Sequence, residues 1–201
     1  MVFTHVLVGI LLGAIAAGAL PGATAVAVTA GGLGGFFPDL DMLFVHRKTL
    51  HFPVVFSLLA LVTGGIAALE PAPVTLAAFV FLLAASLHSL MDTLGGGKEM
   101  RPWRETDDRA VYDHVSGRWL TPRRLIYDGS LPDLGMAVVA GGFAVYLLPG
   151  GYTLPVLALL FVAGIYTVLR RWITRVISEE FDTFSEYIQY RLRSVFGRFT
   201  G

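Results

Sequence analysis

The chain has 201 residues, of which 55% are hydrophobic and 15% are charged, and its mean hydropathy is +0.67. This balance argues against a soluble protein and is typical of a single membrane domain. The net charge is zero, from 15 basic and 15 acidic residues, and cysteine is absent, which excludes disulfides and thiolate metal ligands. Any bound metal must therefore use His, Asp or Glu.

The first forty residues predict a helical hairpin. Asp39 is the one charged residue among them, and Pro21-Gly22 interrupts the apolar sequence. We expect the arms to run from Thr4 to Leu20 and from Ala23 to Phe37, near the lower end of the roughly 17–25 residues of a spanning helix. The glycine-rich second arm favours either close packing or a re-entrant turn. A cleaved signal peptide is the alternative, but no basic residue precedes Arg47.

Two further hairpins are expected. Their apolar arms run from Phe52 to Leu69, Val74 to Leu94, Leu134 to Leu148 and Leu154 to Trp172. Turns that contain proline, at Glu70 to Pro73 and Pro149 to Gly151, separate the arms of each hairpin. The predicted fold class is an all-α integral membrane protein with about six transmembrane helices in three hairpins, and the membrane domain covers residues 1–175.

A polar insertion from Gly95 to Asp133 separates the second and third hairpins. Its segments Val111 to Val115 and Arg118 to Leu120 flank Ser116-Gly117, a two-residue connection that predicts a short β-hairpin. His114 is either an exposed hairpin residue or a further ligand or general base. The arginines of the insertion either set the topology and contact anionic lipid or bind phosphate, and the interspersed acidic residues argue against nucleic acid as a partner.

The tail, residues 176–201, predicts an amphipathic helix that lies on the membrane or against partner helices. Apolar residues recur in it at helical spacing, namely Ile177, Phe181, Phe184, Ile188, Leu192, Val195 and Phe199. With three hairpins, the N-terminus, the segment from Pro38 to His51, the insertion and the tail share one side of the membrane. All 15 Lys and Arg residues lie in or beside these segments, so that side is predicted to be cytoplasmic.

Seven ionisable side chains at helix ends on this face predict a metal site. They are His5, Asp39, Asp41, His46, His51, His88 and Asp92. His88 and Asp92 are four residues apart and therefore share one helix face. Carboxylates and imidazoles at the edge of the hydrocarbon must be paired, solvated or coordinated, and only Arg47 and Lys48 lie nearby to pair with them.

Nitrogen and oxygen ligands without thiolates suit Zn or Mn, or Fe(II). Seven ligands are more than one tetrahedral ion uses, so two ions that share a carboxylate are also expected to fit. Each residue also has a structural interpretation. Asp39 and Asp41 could be turn and cap residues, His5 an interfacial residue, His88 and Asp92 a hydrogen-bonded pair, and His46 and His51 contacts to lipid headgroups.

The same motifs resemble those of the YdjM-like prokaryotic inner-membrane proteins, which are usually described as membrane-bound metal-dependent hydrolases. An early histidine, a Pro-Asp-aliphatic-Asp element, an HR-x-x-x-H element and a His-x-x-x-Asp element occur here as His5, Pro38 to Asp41, His46 to His51 and His88 to Asp92. The resemblance covers about the first half of the chain. Family members often carry HRGxTHS, whereas Lys48, Thr49, Leu50 and Phe52 occupy that region here.

The expected function is metal-dependent hydrolysis of a phosphoester in a membrane lipid or lipid-linked substrate, with Asp39, Asp41, His88 and Arg47 as catalytic residues. The choice of phosphoester follows from a distant likeness of the His and Asp pattern to zinc-dependent phospholipase C and P1-type nucleases. The alternatives are a divalent-cation or proton-coupled transporter and a non-catalytic regulator stabilised by its metal. The sequence leaves the oligomeric state open.

Overall fold

The computed structural model describes residues 1–99 and 101–196, except for the side chains of residue 43 and residues 177–196. The described part is mostly helical, as expected. Its six α-helices are α1 (Val2–Ala17), α2 (Thr24–Phe36), α3 (Pro53–Leu69), α4 (Pro73–Met91), α5 (Leu131–Leu147) and α6 (Thr153–Phe196). A 3₁₀-helix, Phe37–Leu43, follows α2 directly and carries the chain toward the loop before α3.

Among the described residues, two stretches are long and apolar enough to cross a bilayer. They are Pro73–Leu94, which contains α4, and Gly150–Val176, which lies largely in α6. The helices α1, α3 and α5 are apolar but have only 16 or 17 residues, and α2 has 13. Length and composition therefore support two spans, and the six crossings stay a prediction.

Glycine lets α1 and α2 pack in direct backbone contact. A Cβ atom at Gly31 would lie 2.0 Å from the carbonyl oxygen of Gly9, and one at Gly13 would lie 2.4 Å from the carbonyl oxygen of Ala27. On its other side α2 meets α4, where a Cβ at Gly34 would lie 2.2 Å from the carbonyl oxygen of Phe81. The glycines of the second arm thus serve close packing, because α2 is a regular helix.

The remaining helices pack around this pair. α3 contacts α4, and α1 contacts α5. One apolar cluster joins α1, α2, α5 and the start of α6 through Leu7, Val28, Ala140 and Val156, and a second joins α1, α2 and α4. Both clusters are rich in alanine, which allows the helix axes to approach closely as in membrane-protein interiors.

The polar insertion contains the predicted β-hairpin, but its turn is longer than expected. Strands β1 (Tyr112–Asp113) and β2 (Arg118–Trp119) are antiparallel, with Tyr112 opposite Trp119 and Asp113 opposite Arg118. The connection is therefore the four residues 114–117, and the prediction of a two-residue turn at Ser116-Gly117 was wrong. Backbone hydrogen bonds from Arg123 to Thr93 and from Leu125 to Leu94 tie the insertion to the end of α4.

The chain divides into two compact units, residues 1–167 and a second that begins at Val168, so the boundary falls within α6. The backbone of α6 is continuous to Phe196. The apolar and charged side chains that predict an amphipathic tail in residues 176–201 lie, from Ile177 onward, outside the described residues.

Candidate metal centre

Four segments that are distant in sequence bring the predicted ligands to one region. His5 lies in the first turn of α1, and His88 and Asp92 lie at the C-terminal end of α4. The 3₁₀-helix after α2 carries Asp39 and Asp41, and the loop before α3 carries His46 and His51. The helix ends meet because α2 packs between α1 and α4 through its glycines.

Asp39, His51, His88 and Asp92 form the centre of the site, which we call the four-residue cluster. One candidate ligand atom from each lies within 4.8 Å of the others. His51 Nε2 lies 3.2 Å from Asp92 Oδ2, and His88 Nε2 lies 3.4 Å from Asp39 Oδ1 and 3.7 Å from Asp92 Oδ2. Two ligand atoms of one tetrahedral Zn²⁺ lie about 3.4 Å apart, so these separations suit a shared ion.

Hydrogen bonds made by the Nδ1 atoms of His51 and His88 orient their Nε2 atoms toward the carboxylates. His88 Nδ1 donates to the carbonyl oxygen of Gly35 at 2.7 Å, so in the neutral ring Nε2 carries a lone pair. His88 Nε2 is buried and has no hydrogen-bond partner within the described part of the chain. A ring nitrogen that faces carboxylates, while the other nitrogen is anchored by a backbone carbonyl, is the arrangement of a metal-binding histidine.

His51 lies between two carboxylates. Its Nδ1 is 2.8 Å from Asp41 Oδ2, and its Nε2 faces Asp92. Burial disfavours the charged ring, but the hydrogen bonds to Asp41 and Asp92 outweigh burial and raise the pKa of His51 to about 9. A metal ion at Nε2 would therefore displace only the proton of Nε2, while Nδ1–H continues to donate to Asp41.

His5 approaches the other side of Asp92. Its ring centroid lies 3.8 Å from that of His88, and its Nε2 is 3.6 Å from Asp92 Oδ1. Both ring nitrogens of His5 are buried without a hydrogen-bond partner among the described residues. The histidine is positioned to ligate an ion at Oδ1, while Oδ2 of the same carboxylate faces His51 and His88.

Asp41 and His46, which the sequence suggested as ligands, lie behind the cluster. Asp41 is fully buried and accepts hydrogen bonds from the rings of His46 and His51 and from the backbone N–H groups of Lys48 and Leu50. Burial opposes ionisation, but the bonds from His46 and His51 hold the pKa of Asp41 well below its usual range. The carboxylate thus fixes the loop that presents His51.

Arg47 connects the loop to the insertion beside the cluster. Its Nη1 donates to the carbonyl oxygens of Gly96 and Gly97 at 2.7 and 3.1 Å. Its Nε lies 3.5 Å from Asp92 Oδ2 and offsets part of that negative charge. Arg47 also has a φ of 60°, a left-handed conformation that non-glycine residues rarely adopt. Strain of this kind persists only where surrounding contacts hold the backbone.

The β-hairpin holds the same loop from the other side, a role that sequence reasoning missed. The backbone N–H of Tyr112 donates to the carbonyl oxygen of Arg47 at 2.9 Å. His114 Nε2 lies 2.7 Å from the carbonyl oxygen of Lys48, and its ring stacks on Phe52 with centroids 4.4 Å apart. His114 is exposed and outside the cluster. Backbone acceptors such as Gly35 and Lys48 leave no signal in a sequence.

Comparison with known proteins found no matching family model, curated protein or solved structure. The resemblance of the motifs to the YdjM-like proteins therefore stays an expectation that rests on the residues quoted for it. The geometry of the site supports binding of a cation independently of that resemblance.

Proposed function

We propose that the protein is a metal-dependent hydrolase of the membrane and that it cleaves a phosphoester. The observation that carries the proposal is the four-residue cluster, in which the Nε2 atom of His88 faces the carboxylates of Asp39 and Asp92 and has no hydrogen-bond partner among the described residues. Three buried or nearly buried carboxylates, Asp39, Asp41 and Asp92, outnumber the cationic groups beside them, which are the guanidinium of Arg47 and the protonated ring of His51. Such a concentration of negative charge calls for a cation.

The membrane assignment is supported by the outer surfaces of the helices. α3 exposes Leu58, Leu61 and Val62, and α5 exposes Val138, Val139 and Phe143. Side chains of this kind on consecutive turns suit contact with lipid rather than water. We infer six crossings in three hairpins, with the N-terminus, the insertion and the tail on the cytoplasmic side, where the basic residues concentrate.

We assign Asp39, His51, His88 and Asp92 as ligands of one ion, with Zn or Mn as the metals that this donor set suits best. A second ion would be held by His5 and Asp92. Asp41 positions His51, and His46, whose side chain is 35% exposed, borders the opening of the site.

A divalent ion in this site would lower the pKa of a bound water. Hydrolysis would form a bond from a water oxygen to phosphorus, break the ester P–O bond and release the alcohol with a proton. Asp39 is the most accessible carboxylate of the cluster and is suited to accept the proton of the water. Arg47 offsets negative charge beside Asp92, and a site at the edge of the membrane suits a lipid or lipid-linked phosphate.

Transport, the other function that the sequence allows, gains no support from the helix interiors. Within residues 1–167, the buried residues of α1, α2 and α4 beyond the level of Ser57 and Ser86 are small or apolar, such as Ala14, Ala27 and Val80. A transporter would be expected to offer polar groups near the middle of the membrane. We therefore propose no second function.

The first test is the metal content of the purified protein and of Asp39→Ala and His88→Ala. We expect about one to two ions per chain in the parent and a large loss in both variants. Asp107→Ala and Asp108→Ala are the matched controls, because they remove carboxylates of the insertion outside the cluster and should keep the metal. A parent without metal, or full metal content in both cluster variants, contradicts the proposal.

The second test is hydrolysis of soluble phosphomonoesters, phosphodiesters and lipid phosphates by the same five proteins after reconstitution with Zn²⁺ or Mn²⁺. Activity that disappears with Asp39→Ala and His88→Ala, but not with the controls, supports the enzyme. Metal bound with full stoichiometry and no hydrolysis of any of these compounds rejects it and leaves a structural metal site.

A further inference from the structure

An exposed apolar patch, which we call the lip, borders the metal centre. It consists of Leu40, Met42, Phe44 and Val45, in the 3₁₀-helix after α2 and the bend that follows it. Met42 and Phe44 are each 71% exposed, although most residues around the cluster are buried. Exposed apolar side chains in a contiguous group mark contact with another apolar phase or molecule.

The lip contains no exposed charge. Asp41 is the one ionisable residue between Leu40 and Val45, and its side chain is fully buried against His46 and His51. The segment thus turns its carboxylate inward and its apolar side chains outward. A surface loop in water would be expected to show the opposite arrangement.

The lip lies in sequence between two helices that expose apolar side chains. Leu33 and Phe36 of α2 are exposed directly before it, and Val54 and Leu58 of α3 are exposed shortly after it. Beneath it, Phe37 packs against Phe56 of α3 and Phe81 of α4, which ties the segment to those helices. Among the possible occupants of the patch, the exposed apolar residues of α2 and α3 on both sides of it favour the bilayer over a protein partner.

The lip also lies where the metal centre opens. The side chains of His51, His88 and Asp92 are at most 3% exposed, whereas Asp39 is 14% and His46 is 35% exposed. Asp39 and His46 flank the lip in sequence, one on each side. Lys48 follows shortly after His46, and its positive charge favours anionic headgroups near this opening.

We propose that the lip inserts at the boundary between headgroups and acyl chains, and that a lipid phosphate reaches Asp39 and His46 laterally from the bilayer beside it. The inference rests on the proposed hydrolase function and adds the route and the substrate class, a phosphate ester that keeps its acyl chains in the membrane. Soluble phosphoesters would reach the same site without using the lip.

The first experiment measures the position of the lip without using activity. Because the chain has no cysteine, Met42→Cys and Phe44→Cys each give a single site for an environment-sensitive fluorophore in vesicles. Leu61→Cys, at a position 75% exposed on α3, is the lipid-facing control, and Asp108→Cys, at a side chain 82% exposed on the insertion, is the water-facing control.

We expect the labels at 42 and 44 to be quenched by spin-labelled phospholipid and protected from iodide, as at 61. Quenching by iodide, as at 108, overturns the proposal. Protection from both quenchers indicates contact between copies of the chain and overturns it as well.

The second experiment compares the double variant Met42→Ser, Phe44→Ser with Leu61→Ser, Val62→Ser, which removes exposed apolar side chains from α3. We expect the lip variant to raise the apparent KM for a vesicle-borne lipid phosphate about tenfold and to leave hydrolysis of a water-soluble phosphomonoester unchanged. The control variant should change neither, and the metal content of both variants should equal that of the parent.

Equal loss on both substrates, or no loss on either, overturns the delivery role while the hydrolase assignment stands. If the parent cleaves neither compound, the hydrolase assignment and the delivery role fail together. The quenching result then still decides whether the lip contacts the bilayer.

Discussion

Asp41 organises the loop between the 3₁₀-helix and α3. Its carboxylate accepts hydrogen bonds from two imidazoles and two backbone N–H groups. The four donors belong to His46, Lys48, Leu50 and His51, all in this loop. A buried carboxylate with this many donors is both ionised and rigidly held. The orientation of His51 Nε2 toward Asp92 is therefore set by a residue that does not itself face the centre of the cluster.

Asp41→Asn is predicted to weaken metal binding without removing the site. Asparagine keeps one oxygen for His51 but loses the negative charge and the second acceptor oxygen, so affinity should fall about 10–100-fold. Titration against a competing chelator measures the change, and stoichiometry at saturating metal should match that of the parent. Asp92→Asn, which alters a ligand, should lose much more affinity than Asp41→Asn. Equal losses in the two variants would identify Asp41 as a ligand.

Part of this site was accessible from the sequence. The spacing of His88 and Asp92 on one helix, and the accumulation of His and Asp at helix ends, selected all four residues of the cluster. The sequence could not separate Asp39 from Asp41, because the direction of each side chain in a short 3₁₀-helix depends on what packs around it. The acceptor of His88 Nδ1 is the backbone of Gly35, which any residue type would provide.

The contact between α1 and α2 fixes the depth of the metal centre. A Cβ at Gly35 would lie 2.3 Å from the carbonyl oxygen of His5, and the carbonyl of Gly35 itself anchors His88. The glycines of α2 thus place the first turn of α1 beside the last turn of α4. A wider separation of α1 and α2 would move His5 away from His88.

Adjacent glycines of α2 predict opposite effects of the same substitution. In Gly31→Ala the new methyl would lie 2.0 Å from Gly9 O, so the helices must separate and stability should fall by about 1–3 kcal/mol. In Gly32→Ala the nearest neighbouring atom is 3.4 Å away, so the gain in helix propensity, up to about 1 kcal/mol, should remain. Thermal unfolding in detergent measures both. A lower Tm for Gly32→Ala, or an unchanged one for Gly31→Ala, would contradict this packing.

Helices were predicted more reliably than their ends and turns. Uninterrupted apolar runs and proline-containing turns located the helices, whereas the hairpin in the insertion has a four-residue turn instead of two. Asp113 explains the difference, because its carboxylate accepts from the backbone N–H groups of Val115 and Ser116 at 3.0 and 3.3 Å. These local side-chain hydrogen bonds compete with a tighter turn. The prediction of a two-residue turn at Ser116-Gly117 did not take them into account.

The basic residues and the candidate metal centre lie on the same face of the proposed membrane domain. The metal centre, the lip and the insertion all adjoin the segments that hold the Lys and Arg residues, whereas the turns near Pro21, Pro71 and Pro149 carry none. Among the described residues two helices pass the length test for a span, and α1, α3 and α5 fall short of it by only one or two residues. A direct measurement of sidedness therefore decides between six crossings and fewer.

The absence of cysteine makes that measurement simple, because each introduced cysteine is the only thiol in the chain. Ala19→Cys, Glu70→Cys and Gly150→Cys lie in the three short turns, and Thr49→Cys and Asp108→Cys lie beside the metal centre and in the insertion. Three hairpins require the turn positions to react with a membrane-impermeant maleimide in intact cells and the other two to react only after permeabilisation. If Glu70→Cys, like Asp108→Cys, reacted only after permeabilisation, α3 and α4 would not both cross the membrane. The hairpin that carries His88 and Asp92 would then have to lie on the membrane surface.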